Sequence, residues 1–265
     1  MIDLNRKLPI GIQTFEKIRK GNYLYVDKTA LVGKMVSTSI PYFLSRPRRF
    51  GKSLLISTFE AYFLGRKDLF EGLAISQMEV DWQVYPVFHI DLNARKYDSP
   101  ADLIAMLNQH LEKWEAIYGT EKQDRQPEER FAYIIERACV QTGKQVVVLV
   151  DEYDKPMLQA IGNEELQKYF RNTLKPFYGA LKSKDGCIKL GFLTGVTKFG
   201  KVSVFSDLNN LIDISMDEQY VELCGITEKE IHDNMEEDLH ILADKQKMTY
   251  EEVCSELKEC YDGYH

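Results

Sequence analysis

Nine residues near the start of the chain, Ser45-Arg46-Pro47-Arg48-Arg49-Phe50-Gly51-Lys52-Ser53, limit the folds open to it more than any other stretch. They follow the apolar run Tyr42-Phe43-Leu44, which reads as a short buried strand. They lead into Leu54–Phe63, whose apolar positions recur at helical spacing. Strand, tight loop, Gly-Lys-Ser and helix is the order that a phosphate-binding loop requires. The loop N–H groups and the helix N-terminus then form a concavity of partial positive charge. In that reading Arg48, Arg49, Phe50, Gly51, Lys52, Ser53 and Leu54 surround the phosphates. Lys52 reaches the β- and γ-phosphates, and the Ser53 hydroxyl is a ligand of Mg²⁺. Taken by itself, the stretch also reads as a basic surface turn.

The fit to G-x-x-x-x-G-K-[ST] is incomplete, because Arg46 stands where the first glycine belongs. Glycine there lets the chain turn with φ > 0. Pro47 instead biases Arg46 toward an extended backbone. Arg46 is therefore expected at φ < 0, with the turn made differently.

A second stretch strengthens the reading. Gln145-Val146-Val147-Val148-Leu149-Val150-Asp151-Glu152 is a β-branched apolar run that ends in two acids, the Walker B pattern. Such a run suits a central parallel strand covered on both faces, and acids at its C-terminal end fall where open α/β sheets bind ligands. Asp151 is the expected metal ligand and Glu152 the residue that polarises the attacking water. Ile188–Thr197 reads as a further central strand with a polar exit, where a side chain that senses the γ-phosphate is expected: Thr194 first, Thr197 second. A structural threonine is the alternative.

The remaining pattern fits one large domain, or one domain plus a small appendage, with 44% apolar residues giving ample core for 265 residues. The net charge of −7 argues against a general nucleic-acid binder. Five cysteines without zinc spacing, with Cys139 and Cys224 among apolar neighbours, read as buried free thiols of a reducing compartment. The chain opens on no signal peptide and has no apolar run near the ~20 residues that span a bilayer, so a cytoplasmic location is expected.

Between the motifs, the segment to Gly21 reads as a strap, and Asp27 as the cap of a helix carrying Leu31, Val32, Met35 and Val36. Tyr25 and Val26 are candidates for an adenine wall, with core packing as the alternative. Pro86–Asp91 is expected as a second parallel strand in which His89 is a satisfied core residue. Ser99-Pro100, Pro127 and Asn163 open helices. Lys198–Ser206 reads as a basic connection that overhangs the nucleotide, Leu211–Ile214 as a short strand, and Tyr220–Leu223 as a sheet edge or link. From Gly225 the character is helical, with capping-box spacing at Thr227-Glu228-Lys229-Glu230 and Thr249-Tyr250-Glu251-Glu252. The expected division is a P-loop domain over residues 1–223 and the start of a helical lid or accessory module over 224–265.

Tyr25-Val26-Asp27-Lys28-Thr29, Phe43–Ser53, Val150-Asp151-Glu152-Tyr153-Asp154-Lys155-Pro156, Thr194–Lys198, Phe205–Asn210 and Tyr261–Tyr264 together resemble the predicted AAA-ATPase-like family of bacteria. The resemblance covers nearly the whole chain and implies that arginine at position 46 is a family habit. It also implies a partner domain, since members commonly continue into a PD-(D/E)XK nuclease-like domain. That part is not among these 265 residues, so they do not bear on nuclease activity.

The fold class expected is α/β: a P-loop NTPase of the ASCE or AAA-like kind, with a mostly parallel sheet flanked by helices and a short C-terminal helical extension. The function expected is ATP binding with slow Mg²⁺-dependent hydrolysis, used as a conformational switch for an attached or partner domain. The alternative is a non-catalytic interaction module with a degenerate loop. An Asn-Lys-x-Asp guanine-reading motif is absent, and a transfer kinase seldom needs an acid directly after the metal-binding one. Arg48 and Arg49 either add to phosphate neutralisation or salt-bridge Asp154.

Overall fold

Three short helices precede or follow the first strand because each has one apolar stripe to bury. In the computed structural model, which describes residues 6–79, 81–120, 125–197, 204–205 and 208–261, α1 is Phe15–Lys20, α2 Thr29–Val36 and α3 Lys52–Phe63. The segment expected as a strap thus contains a helix, whose Phe15 and Ile18 are buried. Asp27 does cap α2, from one position earlier than usual: its carboxylate accepts from the Thr29 amide at 2.8 Å and from the amide of Ala74 at 2.8 Å. Tyr25 meets Phe15 edge-on, with ring centroids 5.1 Å apart, which is core packing.

The sheet is built from β1 Tyr42–Ser45, β2 Val87–Asp91, β3 Val146–Asp151, β4 Ile188–Gly195 and β5 Ile212–Asp213. Among the described residues it has five strands in the order β2-β3-β4-β1-β5, and every pairing is parallel. Parallel neighbours need crossovers, and helices supply them. After α3 come α4 (Ile75–Met78) before β2, then α5 (Pro100–Tyr118) and α6 (Pro127–Thr142) before β3. Next are α7 (Lys155–Gln159) and α8 (Glu164–Ser183) before β4. The predicted signals open these helices: Ser99 and Asp102 form a capping box at α5, and Asn163 accepts from the Leu166 amide at α8.

Alternation along the strands divides the core into two layers. Val146, Val148 and Val150 face α5, α6 and α8, where Leu107, Phe131, Leu174 and Phe177 are buried. Val147 and Leu149 face α1, α2 and α3, with Val32, Leu55, Ile56 and Phe59. All six residues of β3 are buried, as a central strand requires. The chain leaves β1 toward β2 at one edge, then returns so that β4 lies between β3 and β1. The C-terminal ends of β1, β4 and β3 therefore open beside the start of α3, where the strand order reverses.

Tyr220–Leu223 is neither strand nor edge: Glu218–Leu223 forms a 3-10 turn whose first amide bond goes to Asp217. The basic connection 198–203 and residues 206–207 lie outside the described residues, as does the terminal turn 262–265. Contacts divide the chain into Met1–Cys224 and Gly225–His265. The second unit pairs α9 (Glu228–Gln246) with α10 (Tyr250–Tyr261) around Leu239, Ala243 and Val253. Both predicted capping boxes form there, through Thr227 with Glu230 and Thr249 with Glu252. No described helix is long and apolar enough to cross a membrane.

Candidate nucleotide-binding site

The loop from β1 to α3 makes its turn late. Arg46 is absent from the residues with positive φ, whereas Arg49 has φ +68° and Gly51 +88°. The Arg46 amide donates to the Gly195 carbonyl at 3.2 Å, extending the β1–β4 ladder by one bond. Its guanidinium Nη1 donates to the Ser215 carbonyl and, at 3.2 Å, to that of Ser45. A side chain is thus required at 46, since it ties the loop to the turn after β5. Reversal falls to Gly51, where a Cβ would meet nothing within 4 Å and only the backbone angle demands glycine.

Gly51 is the N-cap of α3, and no acidic side chain lies in the first turn of that helix. The amides of Lys52, Ser53 and Leu54 are the helix donors with no intrahelical acceptor, at the positive end of the dipole. Lys52 folds inward and is only 4% exposed. Its ammonium lies 3.0 Å from the Arg46 carbonyl, 3.1 Å from that of Pro47 and 3.1 Å from Glu152 Oε1.

Beneath it lie the strand ends. The Thr194 hydroxyl, fully buried, donates to Asp151 Oδ1 at 2.7 Å. The Glu152 amide lies 3.4 Å from the same hydroxyl, and Glu152 takes the left-handed backbone at φ +55°. Burial pushes the Glu152 carboxyl above its usual range, and Lys52 opposes that rise without cancelling it. The turn after Glu152 is fastened to the exit of β4. The Tyr153 amide donates to the Thr194 carbonyl at 2.9 Å and its hydroxyl to the Thr197 carbonyl at 2.9 Å. The Asp154 carboxylate accepts from the amides of Val196 (3.2 Å) and Thr197 (2.8 Å) and from the Thr197 hydroxyl at 2.8 Å. Gly195 makes room for this fastening, since a Cβ there would lie 2.3 Å from Tyr153 Cε1.

Lys52, Asp151, Glu152 and Thr194 are thus brought together, with Gly51, Ser53 and Leu54 at the start of α3. Phe50 is half-buried, and Arg48 and Arg49 are exposed. The arginines do not pair with Asp154, whose oxygens are taken by the β4 exit. Thr197 is fully engaged with Asp154, which gives it a structural place and leaves Thr194 as the polar group beside the acids.

Several residues were not singled out by the sequence. Asp91 ends β2 directly beside Asp151 in the ladder and caps the following turn through the Asn93 amide at 2.7 Å. An apolar run ending in an acid marks it, the same signal that marks Asp151. Ser215 carried no such mark, and Asp154 was expected only as an arginine partner within a motif. His89 is not the satisfied core residue expected: Nδ1 lies 3.2 Å from Glu60 Oε2 of α3, and Nε2 is buried without a partner among the described residues. Cys224 is buried as expected, but Cys139 is only half-buried.

The family model for AAA-ATPase-like proteins, described as a predicted AAA-ATPase, matches residues 9–205. The chain belongs to this family. Its parallel α/β sheet flanked by helices is the P-loop NTPase fold of that family, and β1, β3 and β4 carry the loop, the acid pair and the polar exit. A similar protein from Azotobacter chroococcum mcd 1, an uncharacterized protein in the vnfD 5' region, is 42% identical over 228 residues, 85% of this chain. The chain spans 44% of the length of that relative. Among solved structures, the Aeropyrum pernix ORC2 protein in ADPNP–ADP complexes matches 89% of this chain and 53% of its own, at 13% identity and a TM-score of 0.40.

Proposed function

We propose that the protein binds ATP with Mg²⁺ at the amino end of α3 and hydrolyses it slowly, as a conformational switch for an attached or partner domain. The observation that carries this is the meeting of Lys52 with Glu152 at 3.1 Å beside the Thr194–Asp151 pair. A phosphoryl-transfer site needs positive charge, a metal-holding acid and a water-polarising acid in one place. Lys52 and the first amides of α3 neutralise phosphate charge, and Arg48 and Arg49 stand at the rim of the same loop. Thr194 holds Asp151 in orientation, and Glu152 accepts a proton from water as the terminal phosphate leaves.

The donors present suit Mg²⁺, a hard cation that takes a hydroxyl and one carboxylate and leaves its other positions to phosphate and water. Among the described residues no group of three or more His, Cys, Asp or Glu could hold a metal alone. Ser53 and Asp151 are the residues that would hold the ion, and when bound it supplies charge neutralisation of the phosphates.

Phosphate release from ATP tests the reading. Glu152→Gln keeps the shape and removes the charge, so turnover should fall roughly 10²-fold or more. Asp151→Asn should weaken Mg²⁺-dependent binding as well. Equal turnover in the Glu152→Gln variant and the parent would remove Glu152 from this role. One observation favours the non-catalytic module instead: Lys52 already has three acceptors within the protein. That reading expects no phosphate release by the parent. Because the Azotobacter relative is more than twice as long as its matched part, the attached domain, nuclease-like by family resemblance, is part of the proposal.

A further inference from the structure

A lysine ammonium has three N–H donors and no acceptor. At Lys52 they meet three oxygens: the Arg46 carbonyl at 3.0 Å, the Pro47 carbonyl at 3.1 Å and Glu152 Oε1 at 3.1 Å. Three acceptors for three donors leave none for a phosphate oxygen. Two of the three are backbone atoms of the loop that Lys52 must serve. The third is a charged side chain from another strand end, and it is the one partner free to rotate away.

Glu152 is also poorly settled where it stands. Its backbone lies in the left-handed region, which a residue with a Cβ avoids. Its carboxylate is buried, and the Lys52 ammonium at 3.1 Å is the one cation paired with it among the described residues. The ion pair with Lys52 is therefore a contact that a better-charged competitor can replace.

We propose that Glu152 latches Lys52, so that a terminal phosphate engages Lys52 only by displacing the Glu152 carboxylate. The inference rests on the ATP-binding reading above and deepens it, because one event loads the phosphate and frees the acid that polarises water. Tyr153 and Asp154, the next two residues, hold the Thr194 and Thr197 carbonyls and the amides of Val196 and Thr197. The two residues after Glu152 are thus bonded to the exit of β4, and the absence of a Cβ at Gly195 leaves the space that the Tyr153 ring occupies.

A latch competes with the ligand, so its removal tightens binding. Calorimetric titration with the non-hydrolysable ATP analogue ADPNP and Mg²⁺ separates this effect from turnover. Glu152→Gln should bind roughly tenfold tighter than the parent, which is about 1.4 kcal/mol. Glu152→Ala should do so too, which guards against a folding defect in either variant. In a Lys52→Ala background, adding Glu152→Gln should change nothing, since no ammonium remains to be released. Parent and Glu152→Gln binding with equal affinity, or the variant binding more weakly, overturns the latch and leaves the ATP-binding reading standing. Absence of binding in folded parent and variants alike overturns both.

Discussion

Thr194→Val is the perturbation whose sign the geometry fixes most firmly. Valine keeps the shape of the side chain and removes the hydroxyl. At 2.7 Å, the Thr194–Asp151 contact has the short length of a hydrogen bond to a carboxylate. Such bonds contribute about 1.5–3 kcal/mol, and here the acceptor left behind is only 4% exposed. A loss near 2 kcal/mol corresponds to a fall in Tm of roughly 4–8 °C for a unit of this size. Thr194→Ser keeps the hydroxyl and loses one methyl, about 0.8 kcal/mol of burial, so its Tm should drop by roughly 2–3 °C. The expected order is therefore parent, serine, valine. Burial of apolar surface alone gives the reverse, with valine the most stable. The two tryptophans, Trp82 and Trp114, both lie in the Met1–Cys224 unit, so fluorescence-detected thermal unfolding reports on the unit that matters. A valine variant that melts at or above the parent temperature refutes the account of Thr194.

Two further outcomes follow from neighbouring contacts. Arg46→Gly restores the glycine of the phosphate-loop pattern, yet it should destabilise the protein by about 1–3 kcal/mol in urea denaturation, because the bond to Ser215 is lost and unfolded-chain freedom rises; a more stable variant contradicts the tying role. Burial lowers the pKa of His89, but Glu60, Asp151 and Asp91 outweigh it and hold the value above the usual 6.5. That contribution to stability is fully present below about pH 6.5 and fades as pH rises through the raised folded value. The stability advantage of the parent over Glu60→Gln should therefore shrink from pH 6 to pH 9, and an NMR titration should place the His89 midpoint above 6.5 in the parent and lower in the variant. A constant advantage across that range contradicts it.

Local signals made much of this fold legible. Caps at Ser99, Asn163, Thr227 and Thr249 are side chains that bond within three residues, so their partners are visible in the sequence itself. The six buried residues of β3 and its acidic end were readable because a strand covered on both faces must be apolar throughout. What escaped depends on partners far apart in the chain. Arg46 bonds Ser215, 169 positions away, and nothing local distinguishes an arginine that ties a loop from one that breaks a motif. Asp154 holds residues 196 and 197, whereas the sequence offered it only Arg48 and Arg49 as partners. The side-chain pairing of His89 with Glu60 crosses from β2 to α3 over 29 positions, and alternation alone placed His89 merely on one face of a strand. Tyr220–Leu223 has strand-like composition, but Asp217 captures the amide of Gln219 and starts a turn instead.

The central claim is that phosphate binds where Lys52 stands. Titration of Mg²⁺-ATP into the folded parent and into Lys52→Ala tests it most directly. Loss of a charge-assisted contact of roughly 1.5–3 kcal/mol should weaken binding about 10- to 100-fold in the variant. Omission of Mg²⁺ should weaken it in the parent. A folded parent that shows no ATP binding, or a Lys52→Ala variant that binds as tightly as the parent, contradicts the account.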